Sequence, residues 1–119
     1  MKKNKGSCLS FIIQTDGEIV PVVPDGEEFS PEQICLYVAG PAELFCRTHD
    51  GFLLFHNKEA KVRGLQTNDL ATAMYLRRTR AGELAGCVFV THPEHVPAAW
   101  KRMVADRLQD LALRAQMVC

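Results

Sequence analysis

Apolar and polar residues follow two rhythms along this chain, and each predicts a different kind of element. Two short β-rich runs, residues 9–14 and 18–23, flank Asp16-Gly17. Asp-Gly between apolar runs signals a hairpin, and a type I′ turn, with φ > 0 at both central residues, is the expected connection. Pro21 falls inside the second run. Lacking an N–H, it places that strand at a sheet edge or ends it early. A second hairpin is written by residues 42–48, His49-Asp50-Gly51 and residues 52–57, with Phe45, Phe52, Leu53, Leu54 and Phe55 as core candidates. Residues 84–91 carry Val88, Phe89 and Val90 in succession, the mark of a strand buried on both faces.

Helical signals fall between and after these runs. Ser30-Pro31-Glu32-Gln33 reads as an N-cap, a first-turn proline and a capping-box partner, followed by Ile34, Leu36, Tyr37 and Val38 and stopped by Gly40-Pro41. Thr67-Asn68-Asp69 caps a second helix running to about Arg77, with Leu70, Ala73, Met74 and Leu76. Beyond Val96 or Pro97 one long amphipathic helix is expected to the end, its stripe Trp100, Val104, Leu108, Leu111, Ala115 and Val118. The pairs Arg102/Asp106 and Asp110/Arg114 suit its solvated face. The fold class is therefore α+β: a mainly antiparallel five-stranded sheet with two short helices and a long C-terminal one.

At 119 residues the chain fits a single domain, with residues 1–8 expected to be flexible. A hydrophobic fraction of 47% against 24% charged residues is globular composition. Lys+Arg and Asp+Glu both count 14, so bulk positive charge cannot drive nucleic-acid binding. Five cysteines (Cys8, Cys35, Cys46, Cys87 and Cys119) form no Cys-x-x-Cys pair. Three of them lie in apolar runs, which favours free packing thiols and a reducing, cytoplasmic setting. No apolar run approaches the roughly 18 residues of a membrane span, so no membrane partner is expected.

No phosphate loop, dinucleotide fingerprint, nucleophile elbow or two-histidine zinc helix occurs in the sequence. The best metal candidate is Cys46-x-x-His49 with His92-x-x-His95, a donor set zinc accepts if strand ends converge. Structural roles for the same residues, in a strand, a hairpin loop and a loop around Pro93, compete with it, and neither metal nor cofactor is expected. A Cys–His nucleophile pair can be assembled in several ways, none singled out by spacing. Glu27-Glu28 lies ahead of a helix and suits its N-terminus. Basic residues cluster at Arg77, Arg78 and Arg80, with Lys58, Lys61 and Arg63 upstream. Arg77 and Arg78 complement a helix C-terminus, while Arg80 lies beyond it, so the cluster marks a candidate partner surface. In the last helix Val104, Leu108, Leu111, Ala115 and Val118 alternate four and three. Packing on the chain's own sheet is favoured, with a homodimer seam as the second reading.

One further signal comes from Val38-Ala39-Gly40, Glu43-Leu44, His56-Asn57-Lys58-Glu59-Ala60-Lys61, Gly64-Leu65-Gln66-Thr67-Asn68, Ala71-Thr72 and Leu84-Ala85-Gly86-Cys87-Val88-Phe89-Val90. In these segments the chain resembles a small phage- and plasmid-encoded family, domain of unknown function 3846. It departs from that pattern at Gln66 (proline expected), Ala60 (glycine) and Cys87 (commonly acidic). The resemblance implies an accessory protein of a mobile genetic element that modulates host or competitor machinery, and carries over no catalytic residue. The expectation is a non-enzymatic, homodimeric interaction protein with a host-encoded protein partner. A nucleic-acid-binding regulator using the basic cluster is the alternative, and a small metal protein or thiol enzyme the third reading.

Overall fold

Val88, Phe89, Val90 and Thr91 form the middle strand of the sheet, and all four are buried. The structure, a computed structural model, describes residues 10–76 and 83–113. Its strands are β1 (Ser10–Ile13), β2 (Ile19–Val22), β3 (Ala42–Arg47), β4 (Leu53–Asn57) and β5 (Val88–Thr91). The helices are α1 (Pro31–Val38), α2 (Asp69–Tyr75) and α3 (Lys101–Leu113). Strand order is β2-β1-β5-β4-β3, antiparallel throughout. The α+β sheet expected from the hydrophobic pattern is therefore the observed one. No helix among the described residues is long and apolar enough to cross a membrane.

Helices cover both faces. On one, α1 and α3 close a core of Phe29, Ile34, Val38, Leu44, Phe55, Phe89 and Val104, with Tyr37 and Trp100 packed against it. On the other, α2 covers Ile13, Leu54, Val88, Val90, Leu76 and Leu84. β5 alternates between the two, Phe89 toward α1 and Val88 and Val90 toward α2, as its continuous apolar run requires.

Both hairpins close through three-residue loops rather than the expected type I′ turn. Gln14 N–H donates to Glu18 O (2.9 Å) and Thr48 N–H to Phe52 O (2.8 Å). Only the glycine of each Asp-Gly pair has positive φ, +90° at Gly17 and +88° at Gly51. A type I turn ending in a left-handed glycine is the next commonest hairpin solution, and it asks nothing unusual of the aspartate.

The edges are managed by different means. The Gln14–Glu18 bond fixes the register, so Val20 and Val22 face β1 with their backbone groups while Ile19 and Pro21 turn theirs outward. Pro21 thus leaves the open edge of β2 short of a donor. At the opposite edge the outward carbonyl of Leu44 accepts from Arg107 Nε of α3 (3.2 Å).

Helix α1 begins as its sequence dictates. Ser30 Oγ accepts from Gln33 N–H (3.0 Å) and Gln33 Oε1 accepts from Ser30 N–H (2.9 Å). Its end differs from expectation: Ala39, not Gly40, takes the left-handed position (φ 61°). A Cβ on Gly40 would lie 2.5 Å from Asn57 Nδ2, so close packing reserves the glycine and the left-handed turn moves one residue back. The last helix also starts later than expected. Pro93 and Pro97 each open a one-turn 3-10 piece, Pro93–His95 and Ala98–Trp100. A proline forces the residue before it into extended backbone, as at Val96 (ψ 140°), so α3 runs unbroken only from Lys101. The expected strand over 84–91 likewise shortens to β5. Gly86 adopts φ 76° and breaks the run, leaving Ala85 a single bridge to Thr67.

Candidate functional site

Two buried asparagines organise the ground on which the site stands. Asn57 ends β4. Its Nδ2 donates to Ala39 O (3.1 Å) and its Oδ1 accepts from Glu59 N–H (2.7 Å). Asn68 caps α2 through Ala71 N–H (3.0 Å), while its Nδ2 donates to Ile13 O and Gly86 O, both at 2.9 Å. These caps fix the segment after β4 and the segment before β5 against the α2 face of the sheet. The asparagines are used up structurally, in the turn and cap roles their side chains favour.

Between those two segments lies a hollow of about 290 Å³, lined by Phe45, His56, Lys58, Lys61, Val62, Glu83 and neighbours. A β-bulge in β3 creates it. Leu44 pairs with Phe55 and Cys46 with Leu54, leaving Phe45 as the extra residue. Phe45 and Cys46 then both face α2, and the register beyond the bulge sets Glu43 directly opposite His56.

His56 is the chemical centre of this hollow. Its Nε2–H donates to Glu43 Oε1 (3.0 Å), and Phe45 meets its ring edge-on at a centroid distance of 5.0 Å. The ring is only 17% exposed. Burial pushes its pKa below the ordinary histidine value. The bond to Glu43 and that residue's charge pull the other way, and Arg107 and Lys61 add to the lowering. The neutral ring thus gives its one N–H to Glu43, and Nδ1 has no hydrogen-bond partner among the described residues. A histidine oriented by a carboxylate with its second nitrogen open can accept a proton or a hydrogen bond.

The rim is a tight turn held by four backbone bonds: Ala60 N–H to Asn57 O, Arg63 N–H to Glu59 O, Gly64 N–H to Lys61 O and Leu65 N–H to Ala60 O. Val62 at its crest is 90% exposed. Arg63 is engaged by Glu59 at 3.0 Å, whereas Lys58 and Lys61 make no ion pair among the described residues.

Of the basic cluster, Lys58 and Lys61 therefore meet at the hollow and Arg63 stands beside them, while Arg77, Arg78 and Arg80 lie outside the described residues. The metal set is not assembled. Cys46 is buried on the α2 face and disulfide-bonded, whereas Cys35 and Cys87 are free, so the expectation of unpaired thiols fails at Cys46. His49 lines a cleft against Val104 and Leu108, residues of the opposite layer. His92 Nδ1 accepts from Glu94 N–H (3.2 Å), and His95 Nδ1 donates to Glu27 O (2.8 Å). Among the described residues no group of three or more potential ligands could hold a metal ion.

The described part of the candidate dimer seam packs inward. Val104 and Leu111 are buried and Leu108 packs on the α1/α3 core; Ala115 and Val118 lie outside the described residues. Arg102 and Asp106 pair at 3.9 Å on the exposed side as expected. Asp110 meets Arg107 at 3.7 Å, and Arg114 lies outside the described residues.

The His56–Glu43 pair was not foreseen. Counting outward from the Thr48–Phe52 closure without a bulge would set His56 opposite Leu44, and only the extra residue at Phe45 brings Glu43 there. Compared with known proteins, the chain matches no family model, no curated protein and no solved structure.

Proposed function

We propose that this chain is a non-enzymatic binding protein that engages a protein partner through the turn over residues 58–64 and the hollow beneath it. The observation that carries this reading is the turn itself, a backbone-locked projection with an exposed valine at its crest and, on its flank, two lysines that make no ion pair among the described residues. Rigid exposed apolar groups beside unpaired charge are what a complementary protein surface rewards, because little conformational freedom remains to be lost on docking. Among the described residues lining the hollow none brings His56 a hydroxyl or thiol to activate, which favours recognition over nucleophilic chemistry. The resemblance between Val38 and Val90 supports the wider setting, an accessory protein of a mobile genetic element acting on host or competitor machinery.

Nucleic acid is the competing occupant, and the carboxylates weigh against it. Glu43, Glu59 and Glu83 stand among Lys58, Lys61 and Arg63, so a polyanion would meet as many negative as positive groups. Affinity capture from a bacterial lysate tests the proposal, comparing the native chain with a Lys58→Glu, Lys61→Glu, Val62→Asp variant. All three side chains are exposed, so the variant should fold. A protein retained by the native chain and lost by the variant is the expected result. Equal retention, or nucleic acid released by moderate salt, overturns it.

A further inference from the structure

We propose that the exposed face of β2 docks an amphipathic helix of a partner protein, one carrying lysine or arginine at both ends. This surface lies at the opposite edge of the sheet from the turn over residues 58–64 and is independent of it. Ile19 pairs with Ile13 and Pro21 with Phe11, and directly opposed residues share a face. Ile19 and Pro21 therefore project on the side that α2 covers. That cover fails beyond β1. Ile13 is fully buried, whereas Ile19 across from it is 46% exposed. Pro21 is exposed too, and Val23, just past the strand end, is 74% exposed. On the other face Val20 and Val22 pack against the α1/α3 core. β2 thus buries one side and bears an apolar strip on the other, where a solvated sheet face ordinarily alternates to polar residues.

Charge selects the occupant. Residues 6–46 carry seven acidic side chains and no lysine or arginine. They bracket the strip, with Asp16 and Glu18 before Ile19 and Asp25, Glu27 and Glu28 beyond Val23. All five are exposed, and none makes an ion pair among the described residues. Asp16 accepts from Glu18 N–H and Glu28 from Ala98 N–H, bonds that leave both carboxylates uncompensated. Neighbouring elements do not close the balance. Asn68 ties the start of α2 to Ile13 O and so adds Asp69 near the first pair. Lys101, close in sequence to Ala98, sets one cation against the three carboxylates of the other end. An apolar centre between acidic ends repels a polyanion, an anionic membrane and the same strip on a second copy. It complements an apolar segment with a cation at each end. Pro21 hinders addition of an extended strand, and a helix is the ordinary cover for an apolar sheet face. Four steps of about 3.3 Å make the strip roughly 13 Å long, so a helix of about nine residues spans it and flanking turns bring its cations over the acids.

Titration of the full chain with the labelled peptide acetyl-Lys-Lys-Leu-Ala-Gln-Leu-Leu-Ala-Gln-Leu-Leu-Ala-Lys-Lys-amide, followed by fluorescence anisotropy and amide NMR, tests this. Binding should shift the amides of Phe11, Ile19 and Val23. The Ile19→Asn, Val23→Asn variant should weaken it about tenfold. Asp25→Asn with Glu27→Gln should weaken it about three- to tenfold and flatten its salt dependence. All four side chains are exposed, so both variants should fold. The Lys58→Glu, Lys61→Glu, Val62→Asp variant should bind the peptide as the native chain does, even where it loses the lysate partner. Loss of peptide binding in that variant moves the site to the turn and overturns the assignment. So do equal affinity for a peptide with glutamate at every lysine, and shifts confined to other residues. Binding seen only after Lys2, Lys3 and Lys5 are replaced by Gln would assign the strip to the chain's own N-terminal segment. Self-association abolished by Ile19→Asn, Val23→Asn would assign it to a second copy; either result sinks the partner helix.

Discussion

The two faces of the sheet are built from different materials. Toward α1 and α3 the contacts are between rings: Phe29 meets Phe89 edge-on at 5.0 Å, Tyr37 lies 5.2 Å from Phe89, and Trp100 5.8 Å from Phe55. Toward α2 the buried side chains are mainly aliphatic, interrupted by the polar Asn68 and ending at the hollow around His56. Aromatic pairs bury large areas and add a geometric preference of about 0.5–1.5 kcal/mol each. The polar inserts are stable only while each donor and acceptor is matched. One face thus concentrates stability, and the other spends part of its area on a cavity and a titratable group.

The largest test of this contrast is Phe89→Ala. Removing the ring that Phe29, Tyr37 and Phe55 share should cost about 4 kcal/mol, read as a drop in the denaturant midpoint with an unchanged slope. Asn68→Ala strikes the other face. It leaves the carbonyls of Ile13 and Gly86 without that donor and α2 without its cap, for a loss of about 3 kcal/mol. Hydrogen exchange should then show α2 and residues 83–86 opening ahead of the ring-lined face; uniform opening would merge the two faces into one unit.

Smaller effects are expected where α1 ends against Asn57. Gly40→Ala should destabilise by about 2 kcal/mol through its clash with the Asn57 amide, whereas Ala39→Gly should stabilise by about 1 kcal/mol by relieving a left-handed alanine. Thermal melts of both variants separate the roles of these neighbours. The smallest effect is on pH dependence. Because the folded pKa of His56 lies below its unfolded value near 6.5, the unfolded chain binds the proton more readily. This residue's contribution therefore falls as pH drops from about 6.5 through the folded pKa. Glu43→Gln keeps an acceptor for Nε2–H but removes the negative charge that favours protonation, and should move the His56 titration lower still, as read from its ring NMR shifts.

Much of this was legible because local physics decided it. The Ser30 capping box, the two Asp-Gly hairpins, the edge placement of Pro21 and the doubly buried β5 each follow from a few adjacent residues. Features that depend on a distant neighbour were not legible. Ala39 takes the left-handed turn because Asn57, far along the chain, needs the space over Gly40. The His56–Glu43 pair needs a bulge that no residue type announces. Gly40, Asn57, Asn68 and Gly86 all turn out to have structural tasks set by such neighbours.

The treatment of the two outer strands has a consequence for how the molecule behaves in company. Pro21 strips a donor from one margin and Arg107 occupies an acceptor on the other, so a neighbouring copy finds no complete row of partners along which to extend the sheet. Contacts between copies are thereby left to side chains and turns, and edge-to-edge growth of the sheet is disfavoured at any concentration.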